Sequence, residues 1–313
     1  MSFNSTNDIE VLKYTFDLQG FIVINNVLSE KEINEIQTIL DQKTTKPEGL
    51  DFNDGHFGES GAALDTTSAG FLSWGKPFCN LLDHPKIMPV LQMILGNGFR
   101  IDHMYGVQMV KGTKGLKLHG GSINADATEL YHAQNNRIYT GLSVVSWNLV
   151  DTGPSQGGFL CIPGSHKQNF QIPESVMKLH YKADCVKTLE AKAGSVIIFT
   201  EALAHGTAPW KSDNTRRSLL FKYTPSYMAF TRSYAPLPTD ITLTKRQKDL
   251  YNLPSASGSF NRPTHFEWIP SIMFKLSLTS NVFESGVDKN SSTSYIFTFG
   301  LSSRIVCFVL KKA

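Results

Sequence analysis

The chain has 313 residues, 41% of them hydrophobic and 11% aromatic, enough for a sizeable buried core in one large domain or two ordinary ones. A formal charge of +3 over that length argues against the basic surface that nucleic acid or a polybasic membrane contact needs. Cys79, Cys161, Cys185 and Cys307 are scattered without a C-x-x-C pair, which argues against a disulfide framework or a thiolate zinc site and fits a reducing, cytoplasmic compartment.

At the N-terminus no basic or apolar signal region is visible, and no apolar run approaches the roughly 18 residues of a membrane span. Residues 14–28 read as a strand entered from a short helix, with Gly20-Phe21-Ile22-Val23-Ile24 as its β-branched centre. Ser29 followed three residues later by Glu32 is a capping box, and Ile33, Ile36, Ile39 and Leu40 behind it recur at helical spacing. Residues 43–75, rich in Gly, Asp, Ser and Thr, read as a long loop or lid. A second helix is expected from Pro85 to Leu95, stopped by Gly96.

From about residue 100 the pattern becomes β. Strands are expected over Phe99–His103, Gly106–Lys111, Gly141–Leu149, Gly158–Pro163, Val186–Glu190, Ser195–Thr200 and Arg217–Tyr223, separated by clusters such as Gly153-Pro154-Ser155 and Pro163-Gly164-Ser165. Short strands with frequent turns point to an antiparallel barrel or sandwich, with the N-terminal helices covering one face. Residues 1–265 are read as one domain. Phe266–Ala313 changes character, losing the Gly/Pro punctuation. It is set apart as an extension whose role is open, an added strand pair among the readings.

The chemistry-bearing residues are two histidines and an arginine. His119 stands in Leu118-His119-Gly120-Gly121, and His205 in Ala204-His205-Gly206-Thr207, with Arg216 eleven residues later. Two distant imidazoles suit Fe(II) with coordination positions left for oxygen and a co-substrate. A guanidinium grips a carboxylate through paired charged hydrogen bonds. On a strand, Arg216 and Ser218 share a face and Arg217 takes the other. Gln108 and Lys111, on an earlier strand, are weaker candidates for the same pocket. Tyr131, Trp147 and Trp210 are read as core before pocket, and His166 as a turn residue.

These blocks resemble the phytanoyl-CoA dioxygenase family, iron(II)- and 2-oxoglutarate-dependent oxygenases on a double-stranded β-helix (jelly-roll, cupin-like). The likeness is carried by Phe16–Ile24 with Val27-Leu28-Ser29, by Gly157-Gly158-Phe159-Leu160-Cys161-Ile162-Pro163-Gly164-Ser165-His166-Lys167, by Ala193–Phe199, and by His205-Gly206-Thr207 through Arg216. It covers residues 10 to 230. It implies Fe(II) at His119 and His205 and 2-oxoglutarate at Arg216 and Ser218, with Gln108 nearby. Hydroxylation of an unactivated carbon of a small or medium metabolite by O2 would follow. An apolar substrate is expected, with no nucleic-acid or membrane partner and the oligomeric state open.

The resemblance breaks at one point. The family's first-ligand motif is His-x-Asp, and this chain has His119-Gly120-Gly121. Three readings stay open. Gly121 leaves a coordination position to water or chloride, as in iron halogenases. Glu201 supplies the third ligand instead, although along a straight strand it stands about 13 Å from His205, at roughly 3.3 Å per residue. Or Asp126 or Glu129 swings in from the following loop. A binding protein that keeps the fold without metal is the alternative from another class.

Overall fold

The computed structural model describes residues 8–61, 68–123, 126–231 and 235–256, together with the backbone of 294–301 and 304–311. In chain order the elements are α1 (Ile9–Gln19), β1 (Phe21–Ile24), α2 (Glu30–Lys43), β2 (His56–Ser60), α3 (Lys76–Leu82), α4 (Met88–Leu95) and β3 (Arg100–Met109). There follow β4 (Tyr131–Gln134), β5 (Arg137–Thr140), β6 (Ser143–Asn148), β7 (Gly158–Cys161), α5 (Glu174–Leu179), β8 (Lys187–Thr188), β9 (Val196–Thr200), β10 (His205–Ala208), β11 (Arg216–Thr224) and α6 (Lys245–Asp249), and finally β12 (Ser294–Leu301) and β13 (Arg304–Lys311).

Local chemistry sets the helix ends. Asp8 caps α1 by accepting from the backbone N–H groups of Glu10 and Val11. Gly20 ends it at φ 84°, a left-handed conformation that glycine adopts without a Cβ penalty. Helix α1 therefore runs further than the sequence suggested, and the strand after it keeps only four residues. The Ser29–Glu32 capping box is formed reciprocally at the start of α2.

Among the described residues, six strands form one antiparallel sheet in the order β1-β9-β6-β11-β3-β2, and three form a second in the order β10-β7-β8. Alternation sorts the large sheet into two faces. Val145, Trp147, Val196, Ile198, Leu219, Phe221 and Tyr223 join Phe16, Ile36, Leu40, Phe78 and Leu91 from the helices in the main core. From the opposite face, Val144, Ile197 and Phe199 meet Phe159 and Cys161 of the small sheet. The side chains left between the sheets, on the inner face of β3 and β11, are where the polar residues collect.

Several expected boundaries move. The two strands placed at 99–103 and 106–111 are one, β3. Gly106 does not interrupt it but makes room for the Phe57 ring, which a Cβ there would strike. The loop expected at 43–75 contributes β2 to the sheet edge and two short 3-10 turns, Phe52–Gly55 and Gly70–Trp74. The hairpin β4–β5 and helix α3 carried too few periodic residues to be read. The chain divides into two units, Met1–Thr264 and His265–Ala313. Within the second, β12 and β13 pair antiparallel from Ser294↔Lys311 to Leu301↔Arg304. Among the described residues no helix is long and apolar enough to cross a membrane.

Candidate metal and 2-oxoglutarate site

His119 and His205 are brought together by backbone pairing. The segment after β3 runs beside β10, and each histidine's N–H donates to the other's carbonyl at 2.9 Å. Directly opposed antiparallel residues present their side chains on one side, and the two ring centroids stand 4.2 Å apart. Each Nδ1 faces a backbone carbonyl, Lys117 O at 3.0 Å for His119 and Leu203 O at 2.7 Å for His205. A carbonyl can only accept, so each Nδ1 carries the proton and each Nε2 keeps its lone pair free for a metal. Burial is the largest influence on His205 and draws its pKa down to about 4, so it is neutral, as a ligand must be, at neutral pH.

The third member is Glu201. The straight-strand distance that counted against it does not apply. β9 stops at Thr200, the chain reverses with Leu203 N–H donating to Thr200 O at 2.9 Å, and β10 begins at His205. Glu201 Oε2 consequently lies 3.6 Å from His205 Nε2. The ligand atoms of His119, Glu201 and His205 all fall within 4.8 Å of one another, and no other such group of three occurs among the described residues. Two neutral imidazole nitrogens and one carboxylate are the donor set that would hold a divalent iron. Burial by itself would raise the Glu201 pKa; the Lys222 ammonium, then His205, outweigh it and hold the carboxyl down at about 2. Lys222 Nζ stands 2.7 Å from Glu201 Oε1.

The glycine pair has a structural cause. Gly120 adopts φ 79° and Gly121 φ 96°. A Cβ on Gly120 would stand 2.6 Å from Leu203 O and 2.9 Å from Glu201 O. Gly121 donates its N–H to Ala202 O at 3.1 Å. Two left-handed residues thus let the strand carrying His119 turn tightly over the 201–203 reversal that carries Glu201. Glu201 therefore approaches the two histidines from the segment opposite Gly121, which has no side chain of its own to offer.

Arg216, Ser218, Leu220 and Lys222 alternate onto the inner face of β11. His119, Glu201, His205, Arg216 and Lys222 line one cavity with Tyr105 and Phe199. Arg216 is 4% exposed and touches no carboxylate among the described residues. One of its amino groups lies 3.2 Å from Met109 Sδ, and its Nε has no partner. Burial lowers its pKa to about 10, which leaves it charged at neutral pH. Ser218 Oγ, fully buried, is likewise unpartnered. A buried guanidinium and hydroxyl without partners are costly unless an outside anion completes them, and the distal carboxylate of 2-oxoglutarate has that chemistry. Arg217 faces the other way and binds helix α2 through Asp41 at 2.6 Å and Gln37 at 2.8 Å.

Four expected residues lie elsewhere. Gln108 pairs across the ladder with Arg217 and so shares its outward face, donating to Thr45 O. Asp126 is exposed and spends its carboxylate on the N–H and hydroxyl of Thr128. Lys111 forms a surface pair with Asp213 at 2.7 Å. Glu129 is half-buried outside the ligand cluster, its pKa pushed up to about 7 by burial and by the charges of Glu201 and Asp126. His166 is buried and bonds Asp17 O at 3.0 Å, a structural contact. Trp147 lies in the main core and Trp210 packs with Phe52, Val107 and Met109. Lys222 was missed, although the even spacing Arg216, Ser218, Leu220, Lys222 marks it.

Residues 16–218 match the phytanoyl-CoA dioxygenase (PhyH) family. An ectoine dioxygenase of Bordetella bronchiseptica is 21% identical over 225 residues, covering 64% of this chain and 71% of that protein. The crystal structure of HygX from Streptomyces hygroscopicus with nickel, 2-oxoglutarate and hygromycin B bound superposes with a TM-score of 0.56 at 22% identity, over 69% of this chain and 87% of that one. SnoK, a non-heme alpha-ketoglutarate-dependent carbocyclase from nogalamycin biosynthesis, gives 0.53 at 15%, over 74% and 90%. The match over most of the chain places the protein in the phytanoyl-CoA dioxygenase family, as an Fe(II)- and 2-oxoglutarate-dependent dioxygenase.

Proposed function

We propose that the protein hydroxylates an unactivated carbon of a small or medium metabolite, with Fe(II) held by His119, His205 and Glu201 and 2-oxoglutarate anchored by Arg216 and Ser218. The observation that carries the reading is the shared cavity: three convergent donors, and on the same strand face a buried guanidinium with no carboxylate of its own. The two antiparallel sheets with the cavity between them are read as the two halves of a double-stranded β-helix.

When bound, the metal and co-substrate supply the oxidising chemistry; the chain's own residues bind, orient and exclude water. His119 is exposed while Glu201 and His205 are buried, so the substrate approaches from the His119 side. Phe159 and Phe199 flank the His205 ring at 6.0 and 4.8 Å between centroids and keep that side dry. The relatives act on or bind ectoine and hygromycin B, which are polar molecules, and a cavity lined by the charged groups Glu201, Arg216 and Lys222 suits a polar substrate better than the apolar one suggested by the sequence.

Metal titration tests the ligand set. Anaerobic Fe(II) should bind with one ion per chain. Alanine at His119, His205 or Glu201 should each weaken it by at least about tenfold, the lower range for losing one directed charged contact. Wild-type affinity in the Glu201 variant would remove the carboxylate from the set.

A further inference from the structure

Two cations stand on the inner face of β11, and they differ in one respect. Arg216 meets no carboxylate among the described residues. Lys222, six residues along the same face, already has one: its Nζ is 2.7 Å from Glu201 Oε1, a pair in which Glu201 is buried and Lys222 nearly so, at 8% and 13% side-chain exposure. The ammonium also lies 5.5 Å from the centre of the Tyr105 ring. A β-bulge sets its position. Lys222 is opposite His103 and Tyr223 is opposite Ile101, so Asp102 is the extra residue. Asp102 is itself fixed, accepting from Phe230 N–H at 2.9 Å and from His103 Nδ1 at 2.8 Å. Lys222 thus forms an ion pair with one oxygen of Glu201, while the other oxygen, Oε2, lies 3.6 Å from His205 Nε2.

We propose that Lys222 is the resident counter-ion of Glu201: in the metal-free protein its ammonium neutralises the buried carboxylate and fixes Oε1, leaving Oε2 aimed at the two imidazoles, and a bound metal ion then takes over that charge. This rests on reading Glu201 as the third ligand. Lys222 is the one lysine or arginine paired with Glu201 among the described residues, so without it the metal-free site would contain a buried carboxylate lacking its cation, which is strongly unfavourable. With a dication in place, Lys222 is instead a like charge a few ångströms away. At an effective dielectric of about 20 that repulsion outweighs the ordering of one glutamate rotamer. Lys222 is thus a positioning residue that stabilises the metal-free state and sets a ceiling on metal affinity.

The test uses the full chain freed of metal by chelation, with Co(II) as the probe. Thermal midpoints, titration calorimetry and the visible ligand-field spectrum are read for Lys222→Met, Lys222→Gln, Lys222→Arg, Glu201→Gln and the double variant Glu201→Gln/Lys222→Met. Lys222→Met should lower the metal-free midpoint by at least about 5 °C, bind Co(II) about tenfold more tightly or better, and recover the lost midpoint when Co(II) saturates it. Lys222→Gln, which can still donate to Oε1, should also bind Co(II) more tightly and serves if the methionine variant does not fold. Lys222→Arg, keeping the charge, should resemble wild type, and the double variant should regain the metal-free midpoint lost in Lys222→Met. Unchanged or weaker Co(II) binding in both neutral variants overturns the counter-ion role. Wild-type Co(II) affinity and spectrum in Glu201→Gln overturn the ligand reading itself, whatever the lysine variants do.

Discussion

Replacing Arg216 by Met separates binding of 2-oxoglutarate from folding. The guanidinium is 4% exposed, its nearest polar neighbour is the weak acceptor Met109 Sδ at 3.2 Å, and its Nε is unpartnered. In the ligand-free protein it is a buried charge with little compensation, so an apolar side chain of similar length should leave stability unchanged or raise it. With 2-oxoglutarate present the balance reverses. Two parallel charged hydrogen bonds at about 1.5–3 kcal/mol each amount to about 3–6 kcal/mol, or about two to four decades in Kd. Arg217→Met is the control. It removes a partly exposed pair with Asp41 and Gln37 on the opposite face, worth about 1 kcal/mol or less, and should not touch 2-oxoglutarate binding. Urea denaturation of the metal-free proteins and anaerobic 2-oxoglutarate titration of the Fe(II) forms give both quantities. Equal losses of 2-oxoglutarate affinity in the two variants, or a large loss of ligand-free stability in Arg216→Met, would refute the face assignment and the idea of a guanidinium waiting for an anion.

Other expectations follow from particular contacts. Gly120→Ala should cost about 1–3 kcal/mol in denaturation and weaken metal binding, because a Cβ at φ 79° would stand 2.6 Å from Leu203 O and push the 119 segment off the 201–203 reversal. Gly121→Asp should destabilise without tightening iron binding, since φ 96° strains any residue with a Cβ; tighter binding would mean that the glycine does vacate a ligand position. Asp126→Ala should leave metal affinity untouched in the same titration, its carboxylate being engaged with Thr128. Burial holds both His166 and His205 near pKa 4, below their unfolded value of about 6.5, so the unfolded chain binds more protons between those limits. Metal-free stability should therefore be complete above about pH 6.5 and decline as pH falls toward 4, by up to about 1.4 kcal/mol per pH unit for each group. A flat profile in urea denaturation over that window would contradict the burial of these imidazoles.

The β core was legible because its signals are local. Runs rich in β-branched and apolar residues at Val144–Trp147 and Val196–Phe199 and the turn clusters between strands need no tertiary knowledge, and the two histidines and Arg216 stand in strongly patterned blocks. The face of Arg216 followed from alternation alone. The approach of Glu201 to His205 is not legible because distance along a chain says nothing about a reversal. The turn from Thr200 to Ala204 contains no glycine or proline, the residues by which turns are usually read. Gln108 was placed on the wrong face because the ladder register, Gln108↔Arg217, is a pairing between distant segments. The sequence shows at Gly120-Gly121 only the absence of a ligand; the close backbone approach of two segments more than 80 residues apart becomes visible only once they are side by side.

The most direct measurement of the central claim is the visible absorption of the anaerobic protein with Fe(II) and 2-oxoglutarate together, where chelation of the metal by the keto acid produces a charge-transfer band that neither ligand gives alone. The wild-type protein should develop the band with one equivalent of each. His119→Ala and His205→Ala should lack it, and Arg216→Met should show it only at 2-oxoglutarate concentrations about a hundredfold higher or more. No band in the wild-type protein at saturating Fe(II) and 2-oxoglutarate, or an undiminished band in His205→Ala, would contradict the assignment of this cavity as the place where metal and co-substrate meet.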